Sequence, residues 1–124
     1  MGSKILVVDD SAFMRRIVKN ILTRNGFNEI VEARDGLEAI EVFRRVSPDM
    51  VLLDIIMPGM GGVEALGRIM DIDGDAEVVM LTTVDQEEMR DECLRLGAVD
   101  YIVKPFEEER VVEVLHRLVG CGRG

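Results

Sequence analysis

Apolar residues along this chain alternate between two patterns. Short, nearly unbroken runs occur at Ile5–Val8, Ile30-Val31, Met50–Leu53, Val78–Leu81 and Val99–Val103. Runs of this length read as strands, and their near-total apolarity predicts parallel strands covered on both faces. Between them, apolar positions recur with helical spacing. Met14, Ile17, Val18, Ile21 and Leu22 mark a first helix, with Gly26 placed to cap it. Ala39, Ile40, Phe43 and Val46 mark a second, ended by Ser47-Pro48. Val63, Leu66, Ile69 and Met70 mark a third, behind the loop Met57-Pro58-Gly59-Met60-Gly61-Gly62.

The fourth helix carries Met89, Cys93 and Leu96 as its apolar stripe and stops at Gly97. Asp85, with Glu88 three residues on, predicts its N-cap. Val111, Leu115, Leu118 and Val119 mark the fifth, which Glu107-Glu108-Glu109 opens with charge suited to the helix dipole. Five strand–helix units in alternation predict an α/β fold, (βα)5. Right-handed crossovers then wind the helices onto both faces of one parallel sheet. At 124 residues the chain reads as a single domain, 1–124, with no segment to spare for a second.

Four of the strand runs end in chemically capable residues. They are Asp9-Asp10, Asp54, Thr82-Thr83 and Lys104-Pro105. In an open parallel sheet the site lies just outside the carboxyl ends of the strands. Three carboxylates, two hydroxyls and one ammonium are therefore expected at one edge. One acid after the first strand would suffice as a helix cap, and Asp10 before Ser11 could serve. Two acids beside Asp54 would repel one another unless a cation neutralised them. Oxygen donors without His or thiol favour Mg2+, or Mn2+ in its place. Asp54, followed closely by Met57-Pro58, is expected to stay exposed at its loop. A carboxylate there can attack phosphorus and form an acyl phosphate. Lys104 is suited to the Asp54 carboxylate or a phosphoryl oxygen, and a cis peptide to Pro105 would aim it at the site. Thr82 is placed to hydrogen-bond a phosphoryl oxygen.

Composition narrows the function further. The net charge of −9 argues against non-specific nucleic-acid binding. No apolar stretch is long enough to span a bilayer, and the start, Met1-Gly2-Ser3-Lys4, does not resemble a signal peptide. A cytoplasmic, membrane-free protein is expected. The two cysteines lack metal-ligand spacing: Cys93 reads as a buried thiol and Cys121 as a free surface thiol. His116, the only histidine, is expected to face solvent rather than to carry phosphate.

Val7-Val8-Asp9-Asp10, Asp54-Ile55-Ile56-Met57-Pro58, Thr82-Thr83 and Lys104-Pro105-Phe106 together resemble the receiver domain of two-component response regulators. The resemblance spans essentially the whole chain, and Ser11-Ala12-Phe13-Met14-Arg15-Arg16 is similar to the first helix of chemotaxis-type receivers. It implies a flavodoxin-like sheet in the order 2-1-3-4-5, with the strand ending in Glu32 outermost. It implies that Asp54 accepts a phosphoryl group from the phosphohistidine of a sensor histidine kinase of the CheA type. Asp10, Asp54 and the backbone carbonyl of Ile56 would ligate Mg2+, with Asp9 acting through water. Lys104 would contact Asp54 and then the phosphoryl group. Thr82 would act as the switch, and Tyr101 would turn inward with it. The fourth helix, fifth strand and fifth helix would then meet an output protein of motor-switch type, with a phosphatase as a further partner. The domain is expected to be a monomer and a phosphoacceptor switch, acting on no separate substrate.

Where such receivers often carry Met-Asp-Gly, this chain has Met60-Gly61-Gly62, which is expected to loosen the start of the third helix. Ile56 and Val84, two residues past Asp54 and Thr82, are apolar and cannot position a water, so slow hydrolysis of the aspartyl phosphate is expected.

Three other readings compete. Gly97-Ala98-Val99-Asp100 and the first helix also resemble the receiver half of a chemotaxis methylesterase. A flavodoxin-like FMN carrier would share the fold, but Asp9-Asp10 would repel its phosphate. An aspartate-nucleophile phosphatase would resemble a D-x-D arrangement after the first strand, which is absent here.

Overall fold

The computed structural model describes residues 3–123, with side chains described through Val119. Met1, Gly2, Gly124 and the side chain of Cys121 lie outside that range. The elements run β1 (Lys4–Val8), α1 (Ala12–Arg24), β2 (Glu29–Ala33), α2 (Gly36–Val46), β3 (Met50–Leu53), α3 (Gly62–Ile72), β4 (Glu77–Thr82), α4 (Glu87–Leu96), β5 (Asp100–Val103) and α5 (Glu108–Arg123). The five strands form one sheet in the order β2-β1-β3-β4-β5, and every neighbouring pair is parallel. This is the doubly wound, flavodoxin-like α/β fold, with the strand carrying Glu32 at the edge.

Strand alternation divides the core into two layers. Leu6, Val8, Val51, Leu53, Val78, Met80 and Tyr101 face α2, α3 and α4. Ile5, Val7, Met50, Leu52, Val79, Leu81 and Ile102 face α1 and α5. Successive side chains point to opposite faces, so a short apolar run must be covered on both sides. β3 is buried at all four positions, as its central place requires.

Register sets the site. Val8 pairs with Leu53, and Leu53 with Met80, so Asp9 and Asp54 leave the sheet at the same level. The Asp54 N–H donates to the Val8 carbonyl at 3.1 Å, which carries the ladder one step beyond the strands. β4 runs two residues further and ends at Thr82, level with Val103 of β5.

Helix boundaries follow local chemistry, with two departures from expectation. Ser11, not Asp10, caps α1: its side chain accepts from the Met14 N–H. Asp85 does not cap α4. It stands one residue too early, the chain is still extended at Gln86, and Gln86 precedes the helix without a side-chain bond. Glu87 and Glu88 in the first turn supply the negative charge that the helix dipole favours. Leu96 also departs from the expected stripe. It closes α4 at 37% exposure, beside an open groove with Val63, Gly67 and Met70, while Cys93 is fully buried. Gly97 ends the helix at φ 120°, a conformation that glycine alone adopts freely.

Candidate functional site

The acids converge as expected. One carboxylate oxygen from each of Asp9, Asp10 and Asp54 lies within 4.8 Å of the others. Their surroundings differ. Asp9 and Asp54 are buried, and Asp10 is exposed. The expected exposure of Asp54 is therefore corrected: it retains only 7%. The turn after β3 folds over it, so that its Oδ1 accepts from the Ile55 N–H at 2.7 Å and the Ile56 N–H at 3.4 Å. Its Oδ2 faces Lys104 Nζ at 3.2 Å.

Lys104 is held by β5 and followed by a cis peptide to Pro105. Its ammonium lies 2.6 Å from Asp9 Oδ2, nearer than to Asp54. Sequence reasoning paired Lys104 with Asp54 alone and missed this first partner. Three carboxylates around one ammonium leave a formal charge of minus two. All the donors are oxygens, and Asp10 gives an approach from solvent. That donor set fits a hard divalent cation. The Asp9–Asp10 pair is aimed by the turn that begins α1, where Asp9 Oδ1 accepts from the Ser11 N–H at 2.9 Å.

α3 starts hard against the turn after β3. The Gly62 N–H donates to the Ile55 carbonyl at 2.8 Å. A Cβ on Gly62 would overlap the Asp54 carbonyl oxygen, so no side chain fits. Gly61 supplies no side-chain cap. The glycine pair thus permits close packing of α3 on the Asp54 backbone at the cost of a capping group.

Thr82 is fully buried, while Thr83 points to solvent. Thr82 Oγ1 accepts from the Val84 N–H at 3.3 Å, and the Tyr101 hydroxyl donates to the Val84 carbonyl at 2.5 Å. The two hydroxyls hold both polar backbone groups of one residue. Tyr101 is 3% exposed and so already lies inward. Burial, with Cys93 and Asp85 nearby, pushes its phenol up, which keeps the hydroxyl a donor. Ile56, in the turn after Asp54, is 60% exposed, and Val84, two residues past Thr82, is half-buried. His116 is exposed, its ring 6.1 Å from that of Phe27 on the α1–β2 connection and away from the acids in sequence and element.

Two further residues escaped sequence reasoning. Arg15 Nη1 donates to the Asp9 carbonyl at 2.6 Å, and Arg15 Nε donates to Glu32 Oε1 at 2.8 Å. A signal was available: Arg15 lies one helical turn past Ser11, and Glu32 interrupts the otherwise apolar end of β2.

The response regulator receiver domain model matches residues 5–116. The chain is 44% identical over 117 residues to a chemotaxis protein CheY of Bacillus subtilis, covering 94% of this chain and 98% of that one. A protein-glutamate methylesterase/protein-glutamine glutaminase of Pyrococcus abyssi is 45% identical over 105 residues, but the match covers only 28% of that protein. The chain thus spans nearly the whole length of the chemotaxis regulator and about a quarter of the methylesterase. Among solved structures, the CheX-CheY-BeF3-Mg+2 complex from Borrelia burgdorferi superposes with TM-score 0.91 at 36% identity, covering 94% of this chain and 89% of that one.

Proposed function

This chain belongs to the response regulator receiver domain family and is CheY-like, and from that premise we propose that Asp54 is its phosphoacceptor in chemotaxis signalling. The observation that carries the assignment is the convergence of the Asp9, Asp10 and Asp54 carboxylates around Lys104 at the carboxyl edge of the sheet.

An Asp54 carboxylate oxygen attacks the phosphorus of a phosphohistidine on a CheA-type sensor kinase. The phosphorus–nitrogen bond breaks, the imidazole leaves with its electron pair and takes up a proton, and Asp54 becomes an acyl phosphate. Asp54 Oδ1 is held by backbone N–H groups, which leaves Oδ2, on the Lys104 side, as the oxygen to react. Asp10, Asp54 and the Ile56 carbonyl would hold Mg2+, or Mn2+ in its place, with Asp9 contributing through water. When bound, the ion supplies charge neutralisation for the gathered oxygens. Lys104 balances charge on the phosphoryl oxygens, and the Thr82 hydroxyl turns to one of them.

That turn would take Thr82 Oγ1 away from the Val84 N–H and shift the residue whose carbonyl Tyr101 holds. The change would reach α4, β5 and α5, where an output protein of motor-switch type docks. A phosphatase would reset the switch. The switch is proposed to be a single receiver domain over residues 1–124, monomeric and cytoplasmic, and no enzyme beyond its own phosphorylation and dephosphorylation.

The test is incubation with Mg2+ and a small-molecule phosphodonor, followed by intact mass measurement. One phosphoryl adduct is expected in the wild type and none in Asp54→Asn. An adduct that survives the substitution would move the acceptor elsewhere.

A further inference from the structure

We propose that Arg15 and Glu32 form a positioning strut that fixes the Asp9–Asp10 turn in its cation-binding shape. The inference rests on the reading of Asp9, Asp10 and Asp54 as a divalent-cation site. It concerns residues that take no part in ligation.

Asp10 makes no side-chain hydrogen bond or ion pair among the described residues, so its backbone alone aims its carboxylate. The peptide that joins Asp9 to Asp10 carries the Asp9 carbonyl. Arg15 Nη1 donates to that carbonyl at 2.6 Å. Fixing this oxygen fixes the peptide plane and hence the direction in which Asp10 leaves it.

Glu32 holds Arg15 in turn. It sits opposite Val7 in the β1–β2 register, beside the end of β1. Its Oε1 accepts from Arg15 Nε at 2.8 Å, and its Oε2 accepts from Lys19 Nζ at 2.9 Å. The guanidinium is a rigid planar fork, so bonding Nε to Glu32 orients Nη1 toward the carbonyl. The Arg15 side chain is only 12% exposed, and its bond to the Asp9 carbonyl is partly buried, whereas Glu32 stays open to water at 35%. Lys19 and Arg15 together hold the Glu32 carboxyl below the usual carboxylate range, against the opposing push of burial. The edge strand therefore serves the site through one glutamate.

Positioning and charge predict opposite outcomes, which makes the strut testable. A cation at Arg15 repels a bound cation, so by Coulomb's law its removal should tighten Mg2+ binding. A strut predicts the reverse. Mg2+ affinity is read from amide shifts in a 1H–15N NMR titration at fixed ionic strength. Arg15→Met is expected to weaken Mg2+ by about tenfold, the low end for partners one bond removed from a ligand.

Glu32 gives a second comparison should Arg15→Met fail to fold. Glu32→Gln and Glu32→Ala lose the same charge, but only Gln keeps an oxygen acceptor for Arg15 Nε; Lys19 is exposed enough to swing to solvent. Gln is expected to retain near wild-type affinity and Ala to lose it. Unchanged or tighter binding in Arg15→Met, or equal affinities for the two Glu32 variants, would overturn the strut. A wild type that shows no Mg2+-dependent shifts, or an Asp10→Asn variant that shifts as the wild type does, would instead overturn the cation site itself and the strut with it.

Discussion

Lys104 and Asp9 form the shortest ion pair of the site, 2.6 Å from Nζ to Oδ2, against 3.2 Å from the same ammonium to Asp54. The lysine is therefore shared. It neutralises a carboxylate contributed by β1 as well as the proposed acceptor on β3, and it ties β5 across the sheet to both.

Removing Lys104 leaves two buried carboxylates without their common cation. Breaking a buried pair from one side costs about 3–5 kcal/mol. Lys104→Met is expected to lose about 3 kcal/mol in metal-free chemical denaturation and to recover part of it with Mg2+. Asp54→Asn should lose less, because Lys104 keeps its nearer partner. Equal stability of Lys104→Met and wild type without metal would contradict the arrangement.

The side chains of Ile56 and Val84, two residues past Asp54 and Thr82, offer no polar group to a water. The aspartyl phosphate should therefore be long-lived. Ile56→Asn and Val84→Glu are each expected to speed phosphate loss about tenfold, equivalent to about 1.4 kcal/mol of barrier. Decay can be followed by intact mass after removal of the phosphodonor. Unchanged rates in both variants would show that these positions do not set the lifetime.

Thr82 and Tyr101 hold the two backbone groups of Val84, so their effects should not add. Tyr101→Phe removes one hydrogen bond and should cost about 1 kcal/mol. In a double-mutant cycle with Thr82→Val, a coupling of about 0.5 kcal/mol or more is expected in urea denaturation. Strict additivity would mean that Val84 does not link them.

Asp100 begins β5 and accepts from Arg117 at 2.7 Å, from the Tyr101 N–H at 2.8 Å and from Arg110 at 3.2 Å. Burial pushes its carboxyl up, but the Arg117 hydrogen bond, the Tyr101 N–H and the positive charge of Arg110 prevail and hold it below 3.8. A folded-state pKa below the unfolded one means that the charged form favours the fold. This contribution is fully present above 3.8 and fades as pH falls through the lower folded value. Asp100→Asn is expected to lower stability at neutral pH and to flatten the acid limb of a stability–pH curve. A parallel acid limb would show that other carboxylates carry it.

Gly62 has no room for a side chain, since a Cβ would meet the Asp54 carbonyl. Gly62→Ala is expected to cost about 1–3 kcal/mol, the range for forced overpacking. It should also shift the Asp54 and Ile55 amide resonances, because α3 must back away from that turn.

Much of the site was legible because strand ends are written locally. An apolar run that stops at Asp9, Asp54, Thr82 or Lys104 states where the strand ends, and parallel topology brings those ends to one edge. What escaped was contact between residues far apart in the chain, as of Lys104 with Asp9, and the backbone path at the two ends of α4. Asp85 and Glu88 matched a capping pattern, yet an extended Gln86 set the helix start one residue later. Leu96 matched an apolar stripe, yet it stays 37% exposed beside the groove that runs along α3.

From the sequence alone followed the alternation of five strands and five helices, the two-sided core and the list of chemical groups at the strand ends. These depend on periodicity and on neighbours a few residues away. Tertiary structure decided which groups meet: that Lys104 serves Asp9 as well as Asp54, that Asp54 is buried, that Glu32 on the edge strand reaches the acidic turn through Arg15, and that Gly62 must be bare. The reason is geometric. Hydrogen bonds and ion pairs reach only about 3–4 Å, so a partner is chosen by strand register and side-chain path, which no local pattern contains.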